Sequence, residues 1–223
     1  MVVRALQILA GGSHRNESDA MTVYVESNFV LEQSLQQEEC DSCAAIIDLA
    51  SRGLIILAVP AFSLAEPHGA ISGKEKARAR LSNDLRAQLN ELARSKPHRA
   101  VLATYESLAT VLIDSAQSER NGLRGTIAEM LRIANIIVLD AAILSSAAEI
   151  EVEYGLSGQD AVVLASILRH LDQHDPVESC FLNRNSKDFD DPDIRERLES
   201  HGCKFFAKFQ GGLQYVAARI EAG

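Results

Sequence analysis

The stretch MTVYVESN, residues 21–28, joins a short apolar run to a polar exit. Thr22 to Val25 are β-branched or aromatic throughout, which predicts a strand buried on both faces and hence a parallel sheet covered by helices on each side. Glu26 follows at once. A carboxylate at the end of such a strand brings charge to the edge of the core, which is costly unless the group is paired or binds a metal. The stretch therefore predicts the type of sheet and a functional edge.

Four further apolar runs have the character of buried strands. They are residues 54–60, 135–140, 178–182 and 203–209. Segments with apolar residues at helical spacing separate these runs. The alternation predicts an α/β fold of three layers, α/β/α, with a central and mostly parallel sheet of about five strands.

The length of 223 residues suits one domain with an elaboration. We expect that domain to span residues 21–208, with a helical insert at about 74–130. Within the insert, 100–116 and 125–134 are predicted as separate helices. Residues 1–20 are predicted to be a flexible tail or an upstream extension, and the remainder after residue 208, 209–223, a C-terminal tail.

Composition narrows the class of protein. The net charge of −9 argues against a surface built for nonspecific nucleic-acid binding. The four cysteines lack the density of a secreted disulfide scaffold, which indicates the reducing cytoplasm. No apolar run approaches the roughly 20 residues of a membrane span, so no membrane association is expected.

Four acids come from separate segments that meet one end of the predicted sheet. In parallel α/β sheets, functional groups collect at the carboxyl ends of the strands. Glu26 closes the first strand, Glu66 lies in the helix after the second, and Asp160 opens the helix before the fourth. Asp188 lies in the turn after the fourth strand. We predict that these four carboxylates lie at the same edge.

Two of these acids have an alternative interpretation as helix caps. Ser63-x-x-Glu66 and Ser157-x-x-Asp160 both fit the capping-box pattern, in which an acid three residues after the cap bonds back to it. Acids in the first turn also complement the helix dipole. Asn28 is predicted to cap the first helix. The pattern leaves both capping and catalysis open for Glu66 and Asp160.

Three motifs together resemble those of PIN-domain nucleases. VYVESNFVLE (23–32) is similar to their opening strand and turn, LSGQDAVVLASIL (156–168) to a later helix with its acid, and FLNRNSKDF (181–189) to their fourth strand and its exit. The resemblance covers about 21–73 and 135–208. Glu26 stands where the family usually has aspartate. The fold that the resemblance implies is the three-layer PIN fold.

The activity that the resemblance implies is metal-dependent hydrolysis of RNA by an endoribonuclease. By position, Glu26, Glu66, Asp160 and Asp188 would hold Mg²⁺ or Mn²⁺, which prefer oxygen ligands. Ser27 and Asn185 would orient them from behind. The family includes toxins of toxin–antitoxin pairs, so the resemblance also raises a toxin role with an antitoxin as protein partner, and it favours a homodimer. The compact toxins are much shorter than this chain.

Two other functions remain open on the sequence. One is a catalytically weak PIN-like module that binds RNA or protein, which the replacement of aspartate by Glu26 keeps possible. The other is an unrelated doubly wound domain in which all four acids are caps and the ligand is a small molecule. The first predicts RNA or protein binding without cleavage, and the second predicts no effect of divalent metal on stability.

The insert begins with a basic segment. Residues 74–99 hold eight lysine or arginine residues against three acidic ones, in a chain of net charge −9. Such a segment could follow an RNA backbone through phosphate contacts. The equally good alternative is a solvated face of a helical hairpin. No aromatic residues interleave with these charges, so a base-stacking platform is not predicted.

Overall fold

The computed structural model of the protein describes residues 20–97 and 99–222, without the side chains of residues 99–109, 186 and 187. The strands are β1 (Thr22–Val25), β2 (Ile56–Pro60), β3 (Asn135–Ile137), β4 (Ser179–Leu182) and β5 (Cys203–Phe206). The helices are α1 (Ser27–Ser34), α2 (Cys40–Ser51), α3 (Ala61–Leu92), α4 (Arg99–Ile133), α5 (Ala141–Tyr154), α6 (Gly158–His174), α7 (Ser186–Phe189), α8 (Pro192–Glu199) and α9 (Phe209–Ala222). The expected tail at residues 1–20 lies outside the described residues, apart from its last residue.

The five strands form one parallel sheet in the order β3-β2-β1-β4-β5. The predicted α/β class and the five strands are confirmed, and the sheet is entirely rather than mostly parallel. β1 lies at the centre, and its four residues are all buried, as the unbroken β-branched and aromatic run predicted. β2 and β3 lie on one side of β1, and β4 and β5 lie on the other. Between β3 and β4 the chain crosses back past β2 and β1, so its direction of travel across the sheet changes there.

Two apolar cores cover the two faces of the sheet, which gives three layers. One core joins alternate strand residues such as Val23 and Val25 to α1, α2, α4 and α9. The other joins the intervening residues, such as Tyr24 and Phe181, to α5, α6 and α8. Because successive strand side chains point to opposite faces, each strand contributes to both cores. The sheet is therefore rigid from edge to edge, and its ends are well-defined places for side chains.

The insert is a hairpin of two long antiparallel helices, α3 and α4. Arg78 Nη1 lies 2.7 Å from Glu119 Oε1, and Arg120 pairs with Glu75, so the hairpin is joined by ion pairs. The separate helices predicted at 100–116 and 125–134 are one continuous helix, which runs through Gly122 and Gly125. Gly122 does not end it, because its role is close packing: a Cβ there would lie 2.4 Å from Ser34 O of α1. α3 itself begins directly after β2, so the insert extends helices of the core.

The end of the chain departs from the prediction of a C-terminal tail at 209–223. α9 forms there and buries Phe209, Leu213, Val216 and Ile220 against the sheet. The approach is close, because a Cβ placed on Gly212 would lie 2.2 Å from Leu182 Cδ2. Apolar spacing of three and four residues was the signal for this helix. Among the helices of residues 20–97 and 99–222, none combines the length and apolarity that crossing a bilayer requires.

Candidate functional site

The register of the sheet brings Glu26 and Asn183 to the same edge. Val25 of β1 is opposite Leu182 of β4 in the parallel ladder. The next residue of each strand therefore leaves the sheet beside the other. On the other side of β1, Pro60 ends β2 and leads into α3, which carries Glu66. Three neighbouring strands thus deliver polar groups to the carboxyl edge, as predicted.

Glu26 is buried and is the N-cap of α1. Its Oε1 accepts the backbone N–H of Asn28 at 2.9 Å, and its Oε2 accepts the hydroxyl of Ser27 at 2.8 Å. The prediction that Asn28 caps the first helix is wrong, because the helix begins at Ser27 and Asn28 lies inside its first turn. Aspartate, rather than glutamate, is the acid that N-caps prefer, so Glu26 is an unusual cap. It is also only 5% exposed.

Ser27 joins Glu26 to Glu66. Its Oγ lies within hydrogen-bonding distance of Glu66 Oε2 as well as of Glu26 Oε2. A hydroxyl has one proton to donate, so it cannot satisfy two charged carboxylates at once. Either one carboxyl group is protonated and donates to Ser27, or a cation takes up the excess negative charge. The arrangement is a pair of acids held together over one shared hydroxyl.

The pKa of Glu26 is raised mainly by burial of the carboxyl group. Burial raises it from 4.5 to about 7, and the charge of Glu66 adds to the increase. Hydrogen bonds from Ser27 and Asn28 oppose the increase without cancelling it. Raised carboxyl pKa values of this kind are frequent at functional sites, because the same burial and charge pairing prepare a group for proton transfer or metal binding.

Asn183 is a site residue that the sequence did not indicate. It is fully buried, and its Oδ1 accepts the backbone N–H of Asn185 at 2.7 Å and the Nδ2 of Asn28 at 3.4 Å. Its Nδ2 is buried with no partner among the residues that the structure describes. No local sequence signal identified it, because its place beside Glu26 follows from the pairing of Val25 with Leu182.

Asp160 lies at the start of α6, where Ser157 is the N-cap. The backbone N–H of Asp160 donates to Ser157 Oγ at 3.2 Å, and Ser157 Oγ donates to Asp160 Oδ2 at 2.6 Å. The capping interpretation is thus confirmed for this acid. Its other oxygen, Oδ1, accepts Asn185 Nδ2 at 3.5 Å. Asn185 was expected to orient Asp188; its side chain instead contacts Asp160 and, through Asn183, links that acid to the Glu26 side of the edge.

An ion pair fixes the exit of β4. Arg184 pairs with the buried carboxylate of Glu32 on α1 and lies 3.2 Å from Glu38 Oε2. Hydrogen bonds to an ionised partner are among the stronger ones. Because Arg184 lies between Asn183 and Asn185, the ion pair holds both amides at the carboxyl edge.

Asp188 is half-buried in the short helix α7, and its backbone N–H donates to Asn185 O at 3.4 Å. The structure gives its carboxylate no hydrogen bond or ion pair among the described residues. Across those same residues, no group of three or more histidine, cysteine, aspartate or glutamate side chains is placed to hold a metal ion. The edge thus holds the Glu26–Ser27–Glu66 group and, linked to it by Asn183 and Asn185, Asp160.

The capping interpretation is wrong for Glu66. α3 begins at Ala61 after Pro60, so Ser63 lies inside the helix, fully buried, and its Oγ lacks a partner in the described part of the chain. Pro60 is the N-cap and sets the backbone entering the helix, so the helix starts at Ala61, two residues before the serine. The freed carboxylate of Glu66 turns to Ser27 instead.

Comparison with protein-family models, with curated proteins and with solved structures finds no match to this chain.

Proposed function

We propose that this protein is a metal-dependent endoribonuclease that hydrolyses phosphodiester bonds of RNA at the carboxyl edge of its sheet. One observation supports the proposal most strongly: Glu26 and Glu66, from two adjacent strand ends, share the single hydroxyl of Ser27. A buried acid and a half-buried acid with one proton donor between them favour a bound cation. Oxygen atoms are the donors that Mg²⁺ and Mn²⁺ prefer, so these residues fit the group.

In this proposal Glu26 and Glu66 would hold the ion, and Asp160 and Asp188 would add negative charge near the same edge without joining them around one metal position. When bound, the ion would lower the pKa of a coordinated water and neutralise the charge that develops on the phosphate oxygens. Asp160 is already oriented by Asn185 at 3.5 Å. The acids therefore supply negative charge from two directions to one edge.

Neutral groups of the chain have separate roles. Ser27 keeps the carboxylates of Glu26 and Glu66 together, which fixes their spacing before any ligand arrives. The unpartnered Nδ2 of Asn183 is a buried donor beside them. A buried donor without a partner costs about 1–3 kcal/mol. Because Asn183 is 0% exposed, its role is to hold Asn28 and the backbone of Asn185 in place rather than to contact a substrate.

A second candidate is a PIN-like module that binds RNA or protein and cleaves weakly. It is favoured by the capping roles of Glu26 and Asp160, since both acids already have structural partners. We also extend the first proposal to a homodimer with, in the case of a toxin, an antitoxin as its protein partner. Sedimentation of the purified chain tests the dimer.

Calorimetric titration with Mn²⁺ tests the proposed function, together with cleavage of a mixed pool of single-stranded RNA. The variants are Glu66→Gln and, as the matched control, Glu91→Gln, which makes the same change at an exposed position of the same helix. The wild type and the control are expected to bind Mn²⁺ and to cleave RNA, and both properties are expected to be lost in Glu66→Gln.

Each other outcome is decisive. A wild type that binds no Mn²⁺ would show that the acids are caps and hydrogen-bonding groups, and the nuclease proposal would be wrong. Binding of RNA without cleavage in the presence of Mn²⁺ would favour the binding module. Equal losses in Glu66→Gln and Glu91→Gln would show that overall charge, rather than the shared hydroxyl, governs metal binding.

A further inference from the structure

The helix that carries Glu66 continues far beyond the site. α3 runs from Ala61 to Leu92, and its rise of about 1.5 Å per residue places Lys76 about 15 Å and Asn90 about 36 Å along the axis from Glu66. Arg94 lies in the turn that follows the helix. Residues three and four positions apart lie on one face of a helix. A face followed outward from Glu66 is therefore a continuous path from the candidate site.

Every residue on that face is exposed beyond Glu66. We define the α3 stripe as Gly69, Gly73, Lys76, Arg80, Asn83, Ala87, Asn90 and Arg94, at successive spacings of three or four residues. It holds glycines near the acids, then cations and amides. Two exposed acids, Asp84 and Glu91, lie on the same face at the same spacing, so the outer half of the stripe carries both signs of charge. Positive charge therefore concentrates at Lys76 and Arg80, between Glu66 and Asp84.

The cations of the stripe have no ion-pair partners in the described part of the chain. Arg78, which faces α4, behaves differently: it lies 2.7 Å from Glu119 and 3.2 Å from Ser115 Oγ. Thus Glu119 of α4 pairs with the inner face of α3, whereas Lys76, Arg80 and Arg94 have no ion pair among the side chains that the structure describes. Free cations in a chain of net charge −9 point to an anionic partner.

The glycines at the near end have no packing role. A Cβ added to Gly69 or Gly73 would meet no atom within 4 Å. Glycine inside a helix is about 1 kcal/mol less favourable than alanine. Two glycines on the same exposed face are therefore destabilising without a structural reason. They leave the helix surface bare where a bulky chain would approach the acids.

We propose that the α3 stripe binds the phosphate backbone of an RNA strand and guides it to Glu66. This inference rests on the proposed function for the location of the reacting bond, and on the stripe alone for the binding. The bare glycine surface admits the sugar–phosphate chain, Lys76 and Arg80 bind the phosphates nearest the site, and Arg94 binds a distant one. Contacts to phosphate carry no sequence information, so the stripe gives affinity and direction rather than base recognition.

Two triple variants test the stripe with equal changes in charge. The stripe variant combines Lys76→Gln, Arg80→Gln and Arg94→Gln. The control combines Lys74→Gln, Arg86→Gln and Lys96→Gln, three exposed cations of the same segment that lie off the stripe. Binding of single-stranded RNA of about 20 nucleotides is measured in EDTA, where metal-dependent cleavage is absent, over a range of salt concentrations.

The stripe variant is expected to bind more weakly. The slope of log K against log salt should become less steep by about 2, since each lost phosphate contact on a single strand removes about 0.7. The control should keep the wild-type slope. Arg94→Gln alone should weaken binding of the long RNA and leave an RNA of about 4 nucleotides unaffected.

Several results would overturn the proposal: no RNA binding by the wild type, equal slopes in the two triple variants, or an equal effect of Arg94→Gln on short and long RNA. Polyglutamate that displaces the RNA at equal charge would identify an acidic protein as the partner instead. Failure of the proposed function has another signature. RNA that binds through the stripe and is never cleaved in Mn²⁺ leaves the stripe in place and overturns the nuclease alone.

Discussion

Ser63–Glu66 and Ser157–Asp160 share a sequence spacing, yet the protein uses them differently. Ser157 caps α6, and its hydroxyl bonds to Asp160 at 2.6 Å. Ser63 is buried inside α3, while Glu66 reaches across to Ser27 on α1. Asp160 therefore bonds to the serine that caps its own helix, whereas Glu66 bonds to Ser27, which follows a neighbouring strand. The residue at which the helix starts, rather than the spacing of serine and acid, therefore decides which partner the acid bonds to.

The largest expected effect is the loss of RNA cleavage on substitution of either acid. The changes in melting temperature of the same variants should differ in sign. Glu66→Gln and Asp160→Asn should each reduce RNA cleavage by about 100-fold or more, because a lost metal ligand removes several kcal/mol of stabilisation. Only Asp160→Asn should lower the melting temperature, since it weakens a cap. Glu66→Gln should raise the melting temperature without metal, because it removes the charge that opposes Glu26. Thermal unfolding in EDTA checks this, and a destabilised Glu66→Gln would contradict it.

The second prediction concerns the pH dependence of stability. The folded-state pKa of Glu26 is raised from 4.5 to about 7 by burial, so the folded protein holds the proton more tightly than the unfolded chain. Glu26 therefore contributes stability that is fully present below pH 4.5 and is lost as pH rises through 7. The loss should be about 3 kcal/mol without divalent metal.

Urea unfolding of the wild type and of Glu26→Gln across that pH range measures this loss. The variant removes the titrating group and keeps an oxygen to accept the Asn28 N–H, so its free energy of unfolding should lack the decline. Mn²⁺ should remove most of the decline in the wild type, because a cation favours the charged carboxylate. Parallel curves for the two proteins would show that Glu26 is not the group responsible.

The sheet could be predicted from the sequence because its signals are local. β1 and β4 are uninterrupted apolar runs, and buried parallel strands need such runs whatever their neighbours are. The candidate acids at strand ends followed from the same reasoning. The local signal at α9 also indicates its structure. The apolar spacing of Phe209, Leu213, Val216 and Ile220 is typical of a packed helix rather than of a tail.

The linkages within the site could not be predicted, because they depend on register and on helix starts. Asn183 is a neighbour of Glu26 only because Val25 pairs with Leu182, and no local pattern specifies that pairing. The contact of Ser27 with Glu66 requires α3 to begin at Ala61. Both are consequences of chain segments far apart in sequence, which local propensity does not encode.

A smaller expected effect on stability tests Ser157, which caps α6. Ser157→Ala should destabilise the protein by about 1 kcal/mol, because the N–H of Asp160 loses its acceptor at the start of α6. Ser157→Asp is the matched control, since aspartate is also a good cap and should retain most of the stability. Urea unfolding at pH 7 measures both. An unchanged Ser157→Ala would mean that water replaces the cap without loss.

The smallest expected effect on stability tests Ser63, which lies inside α3 and does not cap it. Ser63→Ala should leave the free energy of unfolding unchanged or raise it by up to about 1 kcal/mol, because alanine is the better helix former and removes a buried hydroxyl without a partner. The same substitution thus has opposite signs at Ser63 and Ser157. RNA cleavage should persist in Ser63→Ala, since Glu66 does not bond to this serine. A loss of stability equal to that of Ser157→Ala would show that Ser63 is a cap after all, and Glu66 would then lack a reason to turn toward Ser27.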